Sequence, residues 1–560
     1  MTDSHYHATE LKGDLFVHHG ALVTASRKIA ALHDLYRRLL NTSKVPVVKT
    51  IVNTSHVFQI NSTKQPAVFL NAGNMFRGNI WFNLLGPPIW ASVLGYMGFD
   101  AITLNYKEFY RGRLPLEEFF QNLSSSVKVV VCNVDFSNDK LPIKFPISKS
   151  LTINRDGVNI GLIGYVDPVA KIRAAPGETI TIYDPLEHVK EEAKKLKAEG
   201  SQVIIAFGGF TLDLDVKIAQ AVPELSLIVT GATSVKMYPS GQTPPAGEDA
   251  DADYPMKVTR SDGSLCAIAA VFPFGKYLGN VTIMFDKKTW KPTVYGGAPI
   301  VLDSEVLESE RVARLMNEWS KYVDAQSREV VGTTKVQIKN TREDCYRVQC
   351  NGGTLMADAA FDYFSNFETE GTWSAINGAV MNVAASHSQV DERLHGGEIH
   401  RQDVYNLYPY EDLFVLMTMQ GNTLYKMMEH SVSSYGYGGQ FLQISGLRVV
   451  YKGGTVQDLR TICTSCRTVK FEKVFRLQWY TIAMPQFIAD GGEGFDFSAV
   501  PKSLRQLTNK TDIQLLSHYV KKYSPIKTGV DGRLVILEGG AAVIHPTVLT
   551  ALWIIIIQLT

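Results

Sequence analysis

Cysteine is scarce in this chain, with six in 560 residues, too few for a small disulfide-stapled scaffold. Charge of one sign is missing as well: 56 Lys and Arg stand against 55 Asp and Glu, a net charge of +1. Bulk electrostatics therefore favour neither nucleic acid nor an acidic partner, and no nucleic-acid partner is expected. No internal repeat or low-complexity stretch stands out. The opening residues, "MTDSHYHATELKGD", hold neither a basic segment nor an apolar one, so no secretory signal is visible there. An upstream start is the expectation, because the opposite end reads like that of a cell-surface protein.

That end is "EGGAAVIHPTVLTALWIIIIQLT", where Gly539, Gly540 and Ala541 precede a short spacer and an apolar tail. Small residues, spacer and tail together match a GPI-attachment signal over 536–560. The tail is slightly short for a spanning helix and lacks basic flanks beyond it, which favours the GPI reading over a tail anchor. N-glycosylation sequons at Asn41, Asn53, Asn61, Asn122, Asn280 and Asn509 agree with an extracellular location. So do two close cysteine pairs, "CYRVQC" and "CTSC", which suit disulfides outside the cytosol. Free thiols remain the plainer reading of both, and a redox or half-zinc role for "CTSC" lacks the second C-x-x-C it would need.

The chain is 45% hydrophobic and 20% charged, ample for globular cores, and its length implies two or more domains. From about 20 to 300, runs rich in Val and Ile such as "VKVVVCNVDFS", "GVNIGLIGYVDP", "SQVIIAFGGF" and "LSLIVTGATS" end in glycine or polar turns. That is the pattern of buried strands in an α/β sandwich. Between them "LEHVKEEAKKLKAEGS" reads as an amphipathic helix closed by glycine. A charged helix is expected over 304–331 as a bridge between two domains. The second half, about 332–535, mixes helices with hairpin-like strands such as "FLQISGLRVVYKGG".

Longer blocks carry a resemblance. "GNMFRGNIWFN", "PFGKYLGNVTIMFD", "LKGDLF" with "ALVTASRKIAAL", "QGNTLYKMMEHSVSSYGYGGQFLQISGLRVVY" and "MPQFIADGGEGFDF" follow one another as in the 5′-nucleotidase/apyrase family. The resemblance spans essentially the whole chain. It implies an α/β protein in three parts. An N-terminal calcineurin-like metallophosphatase β-sandwich flanked by helices would occupy 1–302. A bridging helix would follow at 303–331, then a C-terminal α+β nucleotide-binding domain at 332–535. Family members use two divalent metals, typically zinc, to activate a water and clamp a phosphate. Their ligand motifs run D-x-H, G-D, G-N-H-[DE], G-H-S and G-H-[ST].

This sequence departs from those motifs in turn. D-x-H can be matched to Asp3 and His5, but no strand precedes them to aim the pair, and a polar terminus explains them equally well. G-D becomes Gly73-Asn74, and a neutral carboxamide cannot balance two divalent ions. G-N-H-E becomes Asn105-Tyr106-Lys107-Glu108, where Tyr106 replaces a metal ligand and Lys107 replaces the transition-state histidine. A lysine there also repels cations at close range. G-H-S becomes Gly208-Gly209-Phe210, and G-H-[ST] becomes Gly231-Ala232-Thr233, so two histidine ligands are gone. Losing one oxyanion donor alone costs about a hundredfold or more in rate. The expectation is a hydrolase site that no longer works and binds no metal.

The nucleotide pocket of the C-terminal domain is better kept. The resemblance places the two base-stacking rings at Tyr410 and Phe487, a polar contact at Asn382 and a carboxylate at Glu493, longer than the family aspartate. His387 stands where an arginine is expected, and Tyr346 where another is. Tyr410 and Phe487 can equally be packing aromatics, and Arg393 suits a structural ion pair. The resemblance also implies disulfides Cys345–Cys350 and Cys463–Cys466.

The leading reading is a GPI-anchored, homodimeric cell-surface pseudoenzyme that binds a nucleotide, a nucleoside or a protein partner. An active metal-dependent 5′-nucleotidase or apyrase, hydrolysing AMP or ADP and ATP, is the alternative. A third is a secreted antihaemostatic relative that engages integrins through Lys12, Gly13 and Asp14.

Overall fold

Stretches made almost wholly of apolar residues form strands that are covered on both faces, as parallel strands in α/β proteins are. Ala67–Asn71 and Val203–Gly208 are buried at every position. The structure is a computed structural model that describes residues 47–53, 67–76, 80–110, 112–136, 146–174, 176, 179–231, 235–245, 247–271, 276–286, 288–303, 306, 309–367, 370–434 and 438–537. Asp3, His5, the Lys12-Gly13-Asp14 tripeptide, Ala232 and residues 538–560 lie outside them. The chain forms two compact units, Met1–Asp324 and Ala325–Thr560.

The first unit is built on two sheets. One runs, strand by strand, Pro292–Gly296, Tyr277–Phe285, Val47–Asn53, Ala67–Asn71, Ala101–Ile102, Val129–Val130 and Ile147–Ser148, with Ile300–Val301 added beside Tyr277–Phe285. The other runs Met256–Thr259, Leu265–Ala269, Leu227–Thr230, Val203–Gly208, Val158–Tyr165 and Ser150–Arg155. Val68, Leu70 and Val130 of the first join Leu162, Ile204 and Val229 of the second in one core. Helix Pro185–Ala198 covers the second sheet, as expected. Asp184 caps its N-terminus by accepting from the Leu186 N–H, and Val189, Ala193 and Leu196 form its buried stripe. At the topological centre, Ala67–Asn71 lies parallel to both neighbours and delivers the chain into the turn Ala72–Phe76.

The helix expected over 304–331 is shorter: it spans Glu310–Ser327, and the boundary between the two units falls within it. Its β-branched tail, Val330–Thr333, is instead a strand paired with Glu398–His400.

The second unit holds a five-stranded sheet in the order Leu442–Ser445, Gly378–Asn382, Trp479–Pro485, Leu413–Gln420, Arg505–Thr511. A four-stranded sheet runs Phe471–Lys473, Thr455–Ile462, Leu447–Lys452, Leu534–Leu537. The segment "FLQISGLRVVYKGG" is therefore not a hairpin. Its halves, Leu442–Ser445 and Leu447–Lys452, belong to different sheets and separate at Gly446, whose φ is 68°. The strand Leu534–Leu537 runs past the expected boundary at 535 and pairs in parallel with Leu447–Lys452. Both expected disulfides, Cys345–Cys350 and Cys463–Cys466, are present, while Cys132 and Cys266 are buried free thiols. Among the described residues no helix is long and apolar enough to cross a membrane.

Candidate functional site

The turn after strand Ala67–Asn71 is organised by a single carboxylate. Glu108 is fully buried and accepts four main-chain N–H donors, two on each oxygen. Oε2 takes Asn74 at 2.9 Å and Asn105 at 2.7 Å, and Oε1 takes Met75 and, at 3.1 Å, Phe76. An ionised carboxylate offers about four lone-pair sites, and here all are occupied by amides. Burial pushes the Glu108 carboxyl above its ordinary range, while the four donors pull the other way.

Asn105, which the resemblance sets at a family glycine, supplies a second clamp. Its Nδ2 donates to the Gly209 carbonyl at 2.6 Å and to the Ala72 carbonyl at 3.3 Å. Its Oδ1 accepts from the Tyr106 N–H and caps the one-turn helix Tyr106–Phe109. Three strand ends are thus tied together by a carboxamide and a carboxylate.

The predicted positions sit around this clamp. Asn74 has φ 64°, donates its N–H to Glu108 and leaves its Oδ1 buried without a partner. The Tyr106 ring stands edge-on to Phe210 at 5.1 Å between centroids, and the Arg173 guanidinium lies over Phe210 at 4.8 Å. Lys107 is half-buried in the same turn, where its carbonyl accepts from the Tyr110 N–H. Gly209 has φ 72°, and a β-carbon there would lie 2.5 Å from Asp215 Oδ1 and 2.8 Å from Tyr165 Oη. No histidine fits at 209 without displacing that pair.

The pair itself was not foreseen from the sequence. Tyr165 donates to Asp215 at 2.6 Å, and burial lifts the Asp215 carboxyl to about 7. Burial and the neighbouring Asp215 carboxylate push the Tyr165 phenol well up. Asp167, close by, accepts from the N–H groups of Val169 and Thr211 and from the Thr211 hydroxyl.

A two-metal centre does not fit this donor set. Among the described residues, Glu108 is spent on main-chain amides, Asp215 is held by Tyr165 through one oxygen only, and Asn74 offers one neutral oxygen, with no histidine beside them. Among the described residues, one group of three His, Cys, Asp or Glu ligand atoms lies within 4.8 Å of one another: Cys463, Cys466 and Glu472. Its sulfurs are joined as a disulfide and so are not thiolate ligands.

In the second unit the predicted residues sit on neighbouring segments. His387 Nε2 and Tyr410 Oη are 2.8 Å apart, with the rings edge-on at 5.2 Å. Asn382, at the end of its strand, is 1% exposed and its Oδ1 is buried without a hydrogen-bond partner. Two residues on, Ala384 approaches Gly439, and the Glu493 carboxyl stands over the same glycine, 2.9 Å from where a β-carbon would sit. Phe487 packs its ring on Gly492, and His430 Nε2 donates to the Glu493 carbonyl at 2.9 Å. Arg393 pairs with Asp391 at 2.6 Å, the structural ion pair expected of it. Tyr346 lies near the Arg342 guanidinium, 5.9 Å from ring centroid to cation.

The family model described as 5′-nucleotidase, C-terminal domain matches residues 330–500. Over 490 residues the chain is 30% identical to the 5′-nucleotidase of Bos taurus, covering 85% of this chain and 83% of that one. It is 28% identical to the 5′-nucleotidase of Homo sapiens over 530 residues, 90% of each chain. It is likewise 28% identical to the snake venom 5′-nucleotidase of Naja atra over 491 residues, 86% of this chain and 91% of that one. Among solved structures, the 5′-nucleotidase precursor of Thermus thermophilus superposes with a TM-score of 0.70 at 22% identity, covering 88% of this chain and 99% of that one.

Proposed function

The chain belongs to the 5′-nucleotidase family, and from that premise we propose that it has given up metal-dependent phosphate hydrolysis and acts at a cell surface as a binder of a nucleoside or nucleotide. One observation carries the loss. The buried Glu108 carboxylate spends both oxygens on four main-chain amides, beside an asparagine, a tyrosine and a glycine where metal ligands would stand. A divalent ion needs anionic or imidazole donors with free lone pairs, and those residues supply none.

The binding half rests on the second unit. Tyr410 and Phe487 offer aromatic faces for a base, and stacking of this kind contributes about 1 kcal/mol or more per contact. The partnerless Asn382 Oδ1 is an acceptor ready for a ligand N–H or O–H. His387 in place of an arginine weakens the hold on phosphate, so a nucleoside is favoured over a nucleotide. An attachment signal for a GPI anchor would lie beyond Leu537, and a homodimer is the expected assembly.

The test joins elemental analysis of the purified protein with phosphate release from AMP and ADP. No stoichiometric zinc or manganese and no phosphate support the reading. Bound metal with turnover would overturn it and restore the active hydrolase that the relatives' names describe.

A further inference from the structure

Sequons are common by chance, so what distinguishes one is how the fold presents it. The strand Arg505–Thr511 is the last in the five-stranded sheet, and among the described residues nothing pairs with its outer side. Its ladder with Leu413–Gln420 is broken in the middle. Leu413 faces Thr511 and Val415 faces Leu507, so Phe414 alone stands opposite Thr508, Asn509 and Lys510. The chain therefore bulges outward at Asn509.

The neighbours of Asn509 all turn back to the protein. Thr508 Oγ1 donates to the Phe414 carbonyl at 2.6 Å, and the Lys510 ammonium lies over the Tyr363 ring at 5.5 Å. The Thr511 hydroxyl caps helix Asp512–Tyr523 by accepting from the Gln514 N–H. Asn509 is exposed at the crest, two residues from Leu507, which is 68% exposed. An open strand edge carrying an exposed leucine is a site of self-pairing unless something covers it. The other sequons with described side chains differ. Asn122 donates its amide to the Glu118 carbonyl in its own helix, and Asn280 lies mid-strand, paired with Ile51 of the neighbouring strand.

From this geometry we infer that Asn509 carries an N-linked glycan that shields the outer edge of strand Arg505–Thr511 from a second copy of the chain. The donor is an oligosaccharide linked to a lipid pyrophosphate. A C–N bond forms between the sugar and Asn509 Nδ2, the sugar–phosphate bond breaks, and the lipid pyrophosphate leaves while the amide loses one proton. This inference rests on the cell-surface reading above, because transfer occurs only on a chain that enters the secretory pathway.

The full chain is expressed in animal cells preceded by a secretory leader, and the protein is also isolated from its natural source. Site occupancy is read by mass spectrometry after enzymatic deglycosylation in heavy-oxygen water, which turns each glycosylated asparagine into labelled aspartate. With the leader, Asn509 is expected to be labelled. Its absence there, whether or not Asn122 is labelled, overturns the inference whatever the natural location. In the natural-source protein, label at Asn509 supports both readings. Absence of label there, beside label in the leader form, overturns the surface location alone. The variant Asn509→Gln, secreted with the leader, is expected to shift beyond the dimer towards larger species in light scattering. An unshifted profile removes the shielding role.

Discussion

Asp215 shows how a single buried group couples this fold to pH. Burial raises its carboxyl from the ordinary 3.8 to about 7. A folded-state value above the unfolded one means its stabilising share is intact below pH 3.8 and is lost as pH climbs through about 7. The integrated loss is about 4 kcal/mol. Asp215→Asn removes that titration while keeping an acceptor for Tyr165. Denaturant unfolding should therefore show the variant gaining on the wild type between pH 4 and pH 8, and parallel curves would contradict the assignment. Asn105 is the second residue on which the site turns. Asn105→Ala leaves the Ala72 and Gly209 carbonyls without their donor, at an expected cost of about 3 kcal/mol in unfolding free energy. The substitution of a family glycine by Asn105 could be read from the sequence. Its partner 104 residues away could not, because nothing local links position 105 to Gly209.

At the scale of elements, two junctions decide the second unit. Gly446 turns the chain from one sheet to the other, and a β-carbon there would lie 2.6 Å from the Phe361 ring at a φ of 68°. Gly446→Ala should lower stability by about 2 kcal/mol or more, combining left-handed strain with a steric clash, as read from the midpoint of urea unfolding. The last strand, Leu534–Leu537, is held by Arg533, which pairs with Asp358 and with Asp531 while donating to the Ile444 carbonyl. Arg533→Ala should speed amide exchange across Leu534–Leu537 selectively, since the strand would lose its anchor but keep its ladder. Helix Pro185–Ala198 was legible because cap, apolar stripe and terminal glycine are all local. The hairpin expected at 441–454 was not, because two adjacent β runs look alike whether or not they pair with each other.

For the whole molecule, two units each with its own interior imply that heating will not give a single two-state transition. Calorimetry should return a total enthalpy larger than the van't Hoff value. If the metal site has been replaced by the Glu108 and Asn105 clamps, neither a chelator nor added zinc should move the transition of the first unit. A nucleoside that binds at Tyr410 and Phe487 should raise a transition of the second, by about 2.7 kcal/mol at a hundredfold excess over Kd. Tyr410→Ala should abolish that gain.

Sequence by itself determined the family, the α/β class, both disulfide pairings through that resemblance, and the residue types that stand at Asn74, Tyr106, Lys107, Gly209 and Ala232. Those are properties of residue identity and order, which survive without coordinates. Tertiary structure alone decided what surrounds Asn74, Tyr106 and Gly209. That Glu108 is consumed by four amides, that Tyr165 and Asp215 fill the space beside Gly209, and that Asn509 crowns a bulge are relations between distant segments. Hydrogen bonds and excluded volume act through space, and only the folded chain brings those atoms within reach.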